Sequence, residues 1–152
     1  TTGGTAGQYL SAGTAGVAEW TSSLPTNLIA KASNTTNQTG ISTVTDLTGL
    51  SVTFTGVAGR QYKVNVMLPQ MTGTAGDRAA ISITNSSNSV LYAIYAGVIN
   101  QGAPIYISYF TTATGSTTFK VRAVRDVGSG TLSFYGDSAS IKQIWVEDIG
   151  LA

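Results

Sequence analysis

The sequence predicts an all-β fold, an antiparallel β-sandwich of jelly-roll type preceded by an extended N-terminal leader. Two observations carry this. Apolar residues recur at every second position, the period of half-buried strands, and no stretch shows the period of an amphipathic helix. Turn-forming residues punctuate these runs at spacings of about 8 to 12 residues, as in two-sheet sandwiches, and the helices that a parallel α/β sheet would need are missing. An immunoglobulin-like sandwich is the second topology compatible with the pattern.

Residues 1–27 read as the leader. GTAG occurs at Gly4 to Gly7 and again at Gly13 to Gly16, and large side chains such as Tyr9, Leu10 and Trp20 are few, too few for a core. The segment is either a flexible linker or a thin fibre in which identical chains wind together and bury Leu10 and Trp20 on a shared axis. The head, residues 28–152, opens with short runs at Leu28 to Ser33 and Ile41 to Thr45. Leu50 to Thr55 alternates cleanly, and Val57-Ala58-Gly59 turns it into Gln61 to Leu68. Thr72 to Gly76 leads to Arg78 to Thr84, and Asn85 to Ser89 to Val90 to Tyr95. Pro104 to Phe110 and Thr117 to Arg125 flank Ala113 to Ser116, and Gly128-Ser129-Gly130 precedes Thr131 to Tyr135. Ser140 to Asp148 closes the chain. The alternation places Leu50, Val52, Phe54, Tyr62, Val64, Val66, Leu68, Ile81, Ile83, Ile105, Ile107, Phe119, Val121, Ala123, Leu132 and Phe134 on a common inner face.

Met67, Tyr106, Phe110, Tyr135 and Trp145 fall on outward positions. Either a bent sheet or a loop covers them, or they form an oligomer interface, where aromatic and methionine side chains are favoured.

Composition excludes several classes. Only 10% of residues are charged against 42% apolar, so the surface is covered by hydroxyls and amides, and the chain has enough apolar residues to fold. The net charge of +1 is scattered and forms no basic stripe for nucleic acid or an anionic membrane. Ala79 to Phe119 carries no charge, but Asn85, Asn88, Asn100, Gln101, Gly102 and Pro104 interrupt it and no membrane-spanning run results. The start at Thr1 suggests a fragment of a longer chain.

Catalytic chemistry finds little to work with. There is no His and no Cys, so general acid–base work would need paired carboxylates and a serine nucleophile would lack its usual base. Asp46, Asp77, Asp126 and Asp137 read as turn acids bonding nearby amides, while Glu147 and Asp148 are neighbours whose side chains point to opposite faces. A calcium site from Asp46, Asp77 or Asp137 lacks the spacing of a calcium loop. No catalytic residue, metal or cofactor is assigned. Binding is better supported: Tyr92, Tyr95, Asn100, Gln101, Tyr106 and Tyr109 cluster in the uncharged middle, where aromatic faces could stack on sugars and amides bond hydroxyls. The alternative is that these tyrosines are strand packing.

Leu47-Thr48-Gly49-Leu50-Ser51-Val52-Thr53-Phe54-Thr55, followed by Gly59-Arg60-Gln61-Tyr62-Lys63-Val64, resembles the C-terminal head domains of tail-fibre or minor tail proteins from phages of actinobacteria. The closing Ile144-Trp145-Val146-Glu147-Asp148-Ile149-Gly150 is similar to the end of those heads, and Gly7-Gln8-Tyr9-Leu10-Ser11 with Glu19-Trp20 resembles the short repeats that precede fibre tips. The resemblance implies a jelly roll like those of tumour-necrosis-factor and complement heads. It further implies a homotrimer on an upstream fibre shaft of the virion, used in attachment to a host cell-surface glycan or glycolipid. It supplies no catalytic residue. Tyr92, Tyr95, Asn100, Gln101 and Tyr109 are the expected ligand contacts, and Leu10, Trp20, Met67, Tyr106, Phe110 and Tyr135 the expected oligomer contacts. A purely structural trimerisation head and a monomeric carbohydrate-binding sandwich remain as alternatives.

Overall fold

The computed structural model describes residues 9–12, 18–21, 27–98 and 102–152. Twelve strands are present among them: β1 (Tyr9–Ala12), β2 (Ala18–Thr21), β3 (Leu28–Asn34), β4 (Gln38–Ile41), β5 (Thr45–Gly56), β6 (Arg60–Thr72), β7 (Arg78–Asn85), β8 (Val90–Gly97), β9 (Ala103–Thr112), β10 (Gly115–Val127), β11 (Leu132–Tyr135) and β12 (Lys142–Leu151). β1 and β2 pair antiparallel with Leu10 opposite Trp20.

The other strands form two antiparallel sheets. One has the order β5-β10-β7-β8. In the second, β12 pairs with one edge of β6 and β9 with the other, while β3 lies outside β12. β11 pairs with the end of β6 beyond β12 and carries β4 on its far side. The second sheet is therefore β3-β12-β6-β9, lengthened at one end by β11 and β4. Each sheet interleaves strands from both ends of the chain, which is the double Greek-key order of a jelly roll rather than that of an immunoglobulin domain.

All sixteen expected core residues are buried between the sheets. An aromatic series runs through this core: Tyr62 meets Phe54 at 4.9 Å, Phe54 meets Phe119 at 6.0 Å, and Phe119 meets Tyr109 at 6.5 Å between ring centroids. Such edge-to-face and offset pairs add to the burial of area itself.

The structure also buries Ile41, Leu47, Met71, Ile144 and Val146, and bulges explain part of that set. β5 begins at Thr45 and carries a bulge around Gly49, whose φ is +74°. The extra residues, with 47–50 of β5 opposite the single Val121 of β10, let both Leu47 and Leu50 face inward. The Gln38 side chain holds the bulge, donating to the Asp46 carbonyl at 3.0 Å and accepting from the Thr48 amide at 2.8 Å. A second irregularity between Leu68 and Met71 turns Met71 inward. The expected strand Ile41 to Thr45 is corrected: Ile41 ends β4, Thr45 begins β5, and the residues between them connect the two.

Candidate functional site

The outer face of the β3-β12-β6-β9 sheet follows from pairing register alone, because outward residues of adjacent strands lie side by side. One row runs Ser33, Gln143, Met67, Tyr106; the next Lys31, Trp145, Asn65, Ser108; the third Leu28, Glu147, Lys63, Phe110. Met67, Tyr106 and Phe110 are 38%, 57% and 55% exposed. The outer side of the other sheet differs, carrying a hydroxyl pair, Thr53 with Thr118 at 2.8 Å, and ion pairs of Asp46 with Lys120 and Arg122.

At the centre of the aromatic face lies Asn65, an outward residue with 0% exposure. A buried amide must find partners, and this one has three. Its Oδ1 accepts from Tyr106 Oη and from Ser108 Oγ, each at 2.8 Å, and its Nδ2 donates to Glu147 Oε2 at 3.2 Å. Trp145 Nε1 donates to the other carboxylate oxygen, Glu147 Oε1, at 3.0 Å. Tyr106 and Trp145 stand with ring centroids 6.1 Å apart and planes tilted by 51°. The polar ends of both rings are thus tied to one network, which fixes their orientation. Beside Trp145 a shallow cleft opens, lined by Leu28, Lys31, Gln143, Trp145 and Glu147, with a volume of about 190 Å³. That is smaller than the clefts of roughly 300–1,000 Å³ that enclose drug-sized ligands, so it suits a ring laid against a surface.

The expected ligand residues are placed differently from one another. Tyr92 on β8 and Tyr109 on β9 stack at 6.1 Å across the open side of the sandwich, extending the core's aromatic series to the edge. Tyr95 lies opposite Ala80 on the outer side of the other sheet, with the Arg78 guanidinium 5.1 Å from its ring. Asn100 and Gln101 lie outside the described residues. The structure therefore brings Tyr92 and Tyr109 together and separates Tyr95 from them. Of the expected oligomer contacts, Met67, Tyr106 and Phe110 share the outer face, and half-buried Tyr135 lies opposite Gln70 at its β11 end. Leu10 and Trp20 are described only as paired backbone positions.

Sequence reasoning passed over Asn65, Glu147, Ser108, Gln143 and Lys31 as members of this face. The available signals were a lone Asn inside the apolar run Val64 to Leu68, and Trp145 two residues before Glu147 on one strand face.

The described carboxylates are engaged in structural work. Asp77 accepts from the Ser129 and Gly130 amides, Asp137 from those of Ala139 and Ser140, and Asp126 pairs with Arg78. The Arg60 guanidinium bonded to Asp148 holds that carboxyl below its ordinary value. Among the described residues no group of three His, Cys, Asp or Glu side chains could hold a metal ion, and no helix is long and apolar enough to cross a membrane.

No family model and no curated protein matches the chain. Among solved structures it is similar to the enzymatically active domain of bacteriophage CBA120 tailspike protein 4, with 10% identity and a TM-score of 0.32, over 78% of this chain and 19% of that one. It is also similar to a CBM4 structure, with 13% identity and a TM-score of 0.27, over 80% of this chain and 93% of that one. The chain spans about a fifth of the tailspike domain. Both scores are low, so the site itself has to carry the functional reading.

Proposed function

We propose that this chain is a displayed β-sandwich head that binds a host cell-surface glycan through the outer face of the β3-β12-β6-β9 sheet. The observation that carries the reading is the pair Trp145 and Tyr106, two partly exposed rings held in one orientation by the Asn65–Glu147 network beside an open cleft. A pyranose ring has a face of C–H groups that packs against an aromatic ring, and hydroxyls at its rim that bond to amides and charged groups. Gln143 and Lys31 at the cleft supply such groups. Fixing the rings before binding lowers the ordering cost of association. The resemblance of Leu47 to Thr55 and of Ile144 to Gly150 to tail-fibre heads supports a place at the end of a fibre shaft on the virion, where several copies would multiply a weak contact.

Isothermal titration of a panel of envelope oligosaccharides tests the reading. Trp145→Ala is expected to abolish binding that wild type shows, while Tyr95→Ala, on the other sheet, leaves it intact. A ligand lost with Tyr95→Ala and retained by Trp145→Ala would overturn it.

The exposure of Met67, Tyr106 and Phe110 on one face favours a second reading, a structural homotrimer in which three copies bury this face about a common axis. Light scattering decides between the two. A trimer that Phe110→Asp dissociates supports the second reading, and a wild-type monomer removes it.

A further inference from the structure

The eight basic residues divide sharply by partner. Arg60 pairs with Asp148, Arg78 with Asp126, and Lys120 and Arg122 with Asp46. Arg125 donates to the Gly130 carbonyl, and Lys142 to the carbonyls of Thr36 and Phe134. Lys31 and Lys63 have neither a carboxylate nor a carbonyl partner among the described residues. Both lie on the aromatic outer face: Lys31 is directly opposite Trp145 on β3, and Lys63 is opposite Glu147 on β6.

The one acid in these rows is Glu147, which accepts from Trp145 at Oε1 and from Asn65 at Oε2, so two lysines face a single carboxylate. Lys63 stands 6.0 Å from the centre of the Phe110 ring. With strands about 4.8 Å apart and residues rising about 3.4 Å each, the two lysine backbones are roughly 12 Å apart, on either side of the Trp145–Glu147 position. Among the described residues, the two lysines without a carboxylate or carbonyl partner both lie on the face that carries the stacking rings.

From this juxtaposition we infer that the ligand is an anionic glycan, one whose negative group, a carboxylate or a phosphate, reaches Lys31 while a neighbouring sugar ring lies on Trp145. This rests on the glycan reading of the same face and adds the charge of the ligand to it. An ammonium is a point charge with three donors and accepts either anion without the planar match an arginine would demand.

The test compares three probes of similar length by titration: an oligogalacturonide, a neutral galactan oligosaccharide, and a glycerol-phosphate oligomer. Wild type is expected to bind at least one anionic probe about five- to tenfold more tightly than the neutral one at low salt, an advantage that salt screens away. Lys31→Gln should erase the low-salt advantage of the anionic probe over the neutral one. Trp145→Ala should abolish all binding. The two anionic probes separate the sources: preference for the first identifies a uronic acid, preference for the second a phosphate polymer. Equal binding of neutral and anionic probes, still lost with Trp145→Ala, overturns the inference and leaves the glycan reading standing. Failure of all three to bind overturns both.

Discussion

Replacing Asn65 by Asp tests the network at its centre with almost no change of shape. Tyr106 Oη and Ser108 Oγ keep an oxygen to donate to, but the atom that now donates to Glu147 Oε2 at 3.2 Å becomes an oxygen facing an oxygen. The lost hydrogen bond involves a charged acceptor and is worth about 1.5–3 kcal/mol. Repulsion between two carboxylates about 4 Å apart adds up to roughly 4 kcal/mol at an effective dielectric constant near 20, less where solvent reaches half-buried Glu147. A loss of about 3 kcal/mol at pH 8 is expected for Asn65→Asp relative to wild type. Like charges at this distance raise the pKa of one carboxyl in the folded state above its unfolded value. Such a group contributes stability that is fully present below the unfolded carboxyl range of about 4 and is lost as pH rises through the raised folded value. The deficit should therefore be small near pH 4 and complete by pH 8. Urea unfolding of both proteins at the two pH values, with the slopes compared to confirm a common denatured state, reads it directly. A deficit of the same size at both pH values would refute the reasoning, as would none at pH 8.

Gly128 has φ of +103°, and a Cβ there would overlap Asp77 Oδ1; Gly128→Ala should destabilise the head by about 3 kcal/mol or more, and a thermal midpoint within a degree or two of wild type would contradict this. Lys142 is 0% exposed, and burial lowers its pKa below the ordinary lysine value. The unfolded chain therefore holds more protons as pH approaches about 10, and this group makes wild-type stability rise over that window. Lys142→Met should remove that rise, so equal slopes of stability against pH between 8 and 10 in the two proteins would count against it.

Much of the fold is legible in strand parity. Every inner residue read from alternation, from Leu50 to Phe134, is buried, because a strand with one wet and one dry face can satisfy the hydrophobic effect in only one register. Parity fails where a bulge inserts a residue. Leu47 and Met71 were out of phase with their neighbours until the irregularities near Gly49 and after Leu68 brought them inward. The outward placement of Met67, Tyr106, Phe110 and Trp145 was likewise readable from alternation. Their joint meaning was not, because it depends on which strands are neighbours.

By itself, then, the sequence determined the all-β class, the two-faced strands and the core, since these follow from a period of two that acts within each strand. Tertiary structure alone decided that β3, β12, β6 and β9 lie side by side, because strand order depends on contacts between segments as distant as Lys31 and Trp145 or Asn65 and Ser108. That pairing set Asn65 between Tyr106 and Glu147 and brought Tyr106, from the middle of the chain, beside Trp145 of the last strand. It also left Lys31 and Lys63 on one face while the other basic side chains found partners.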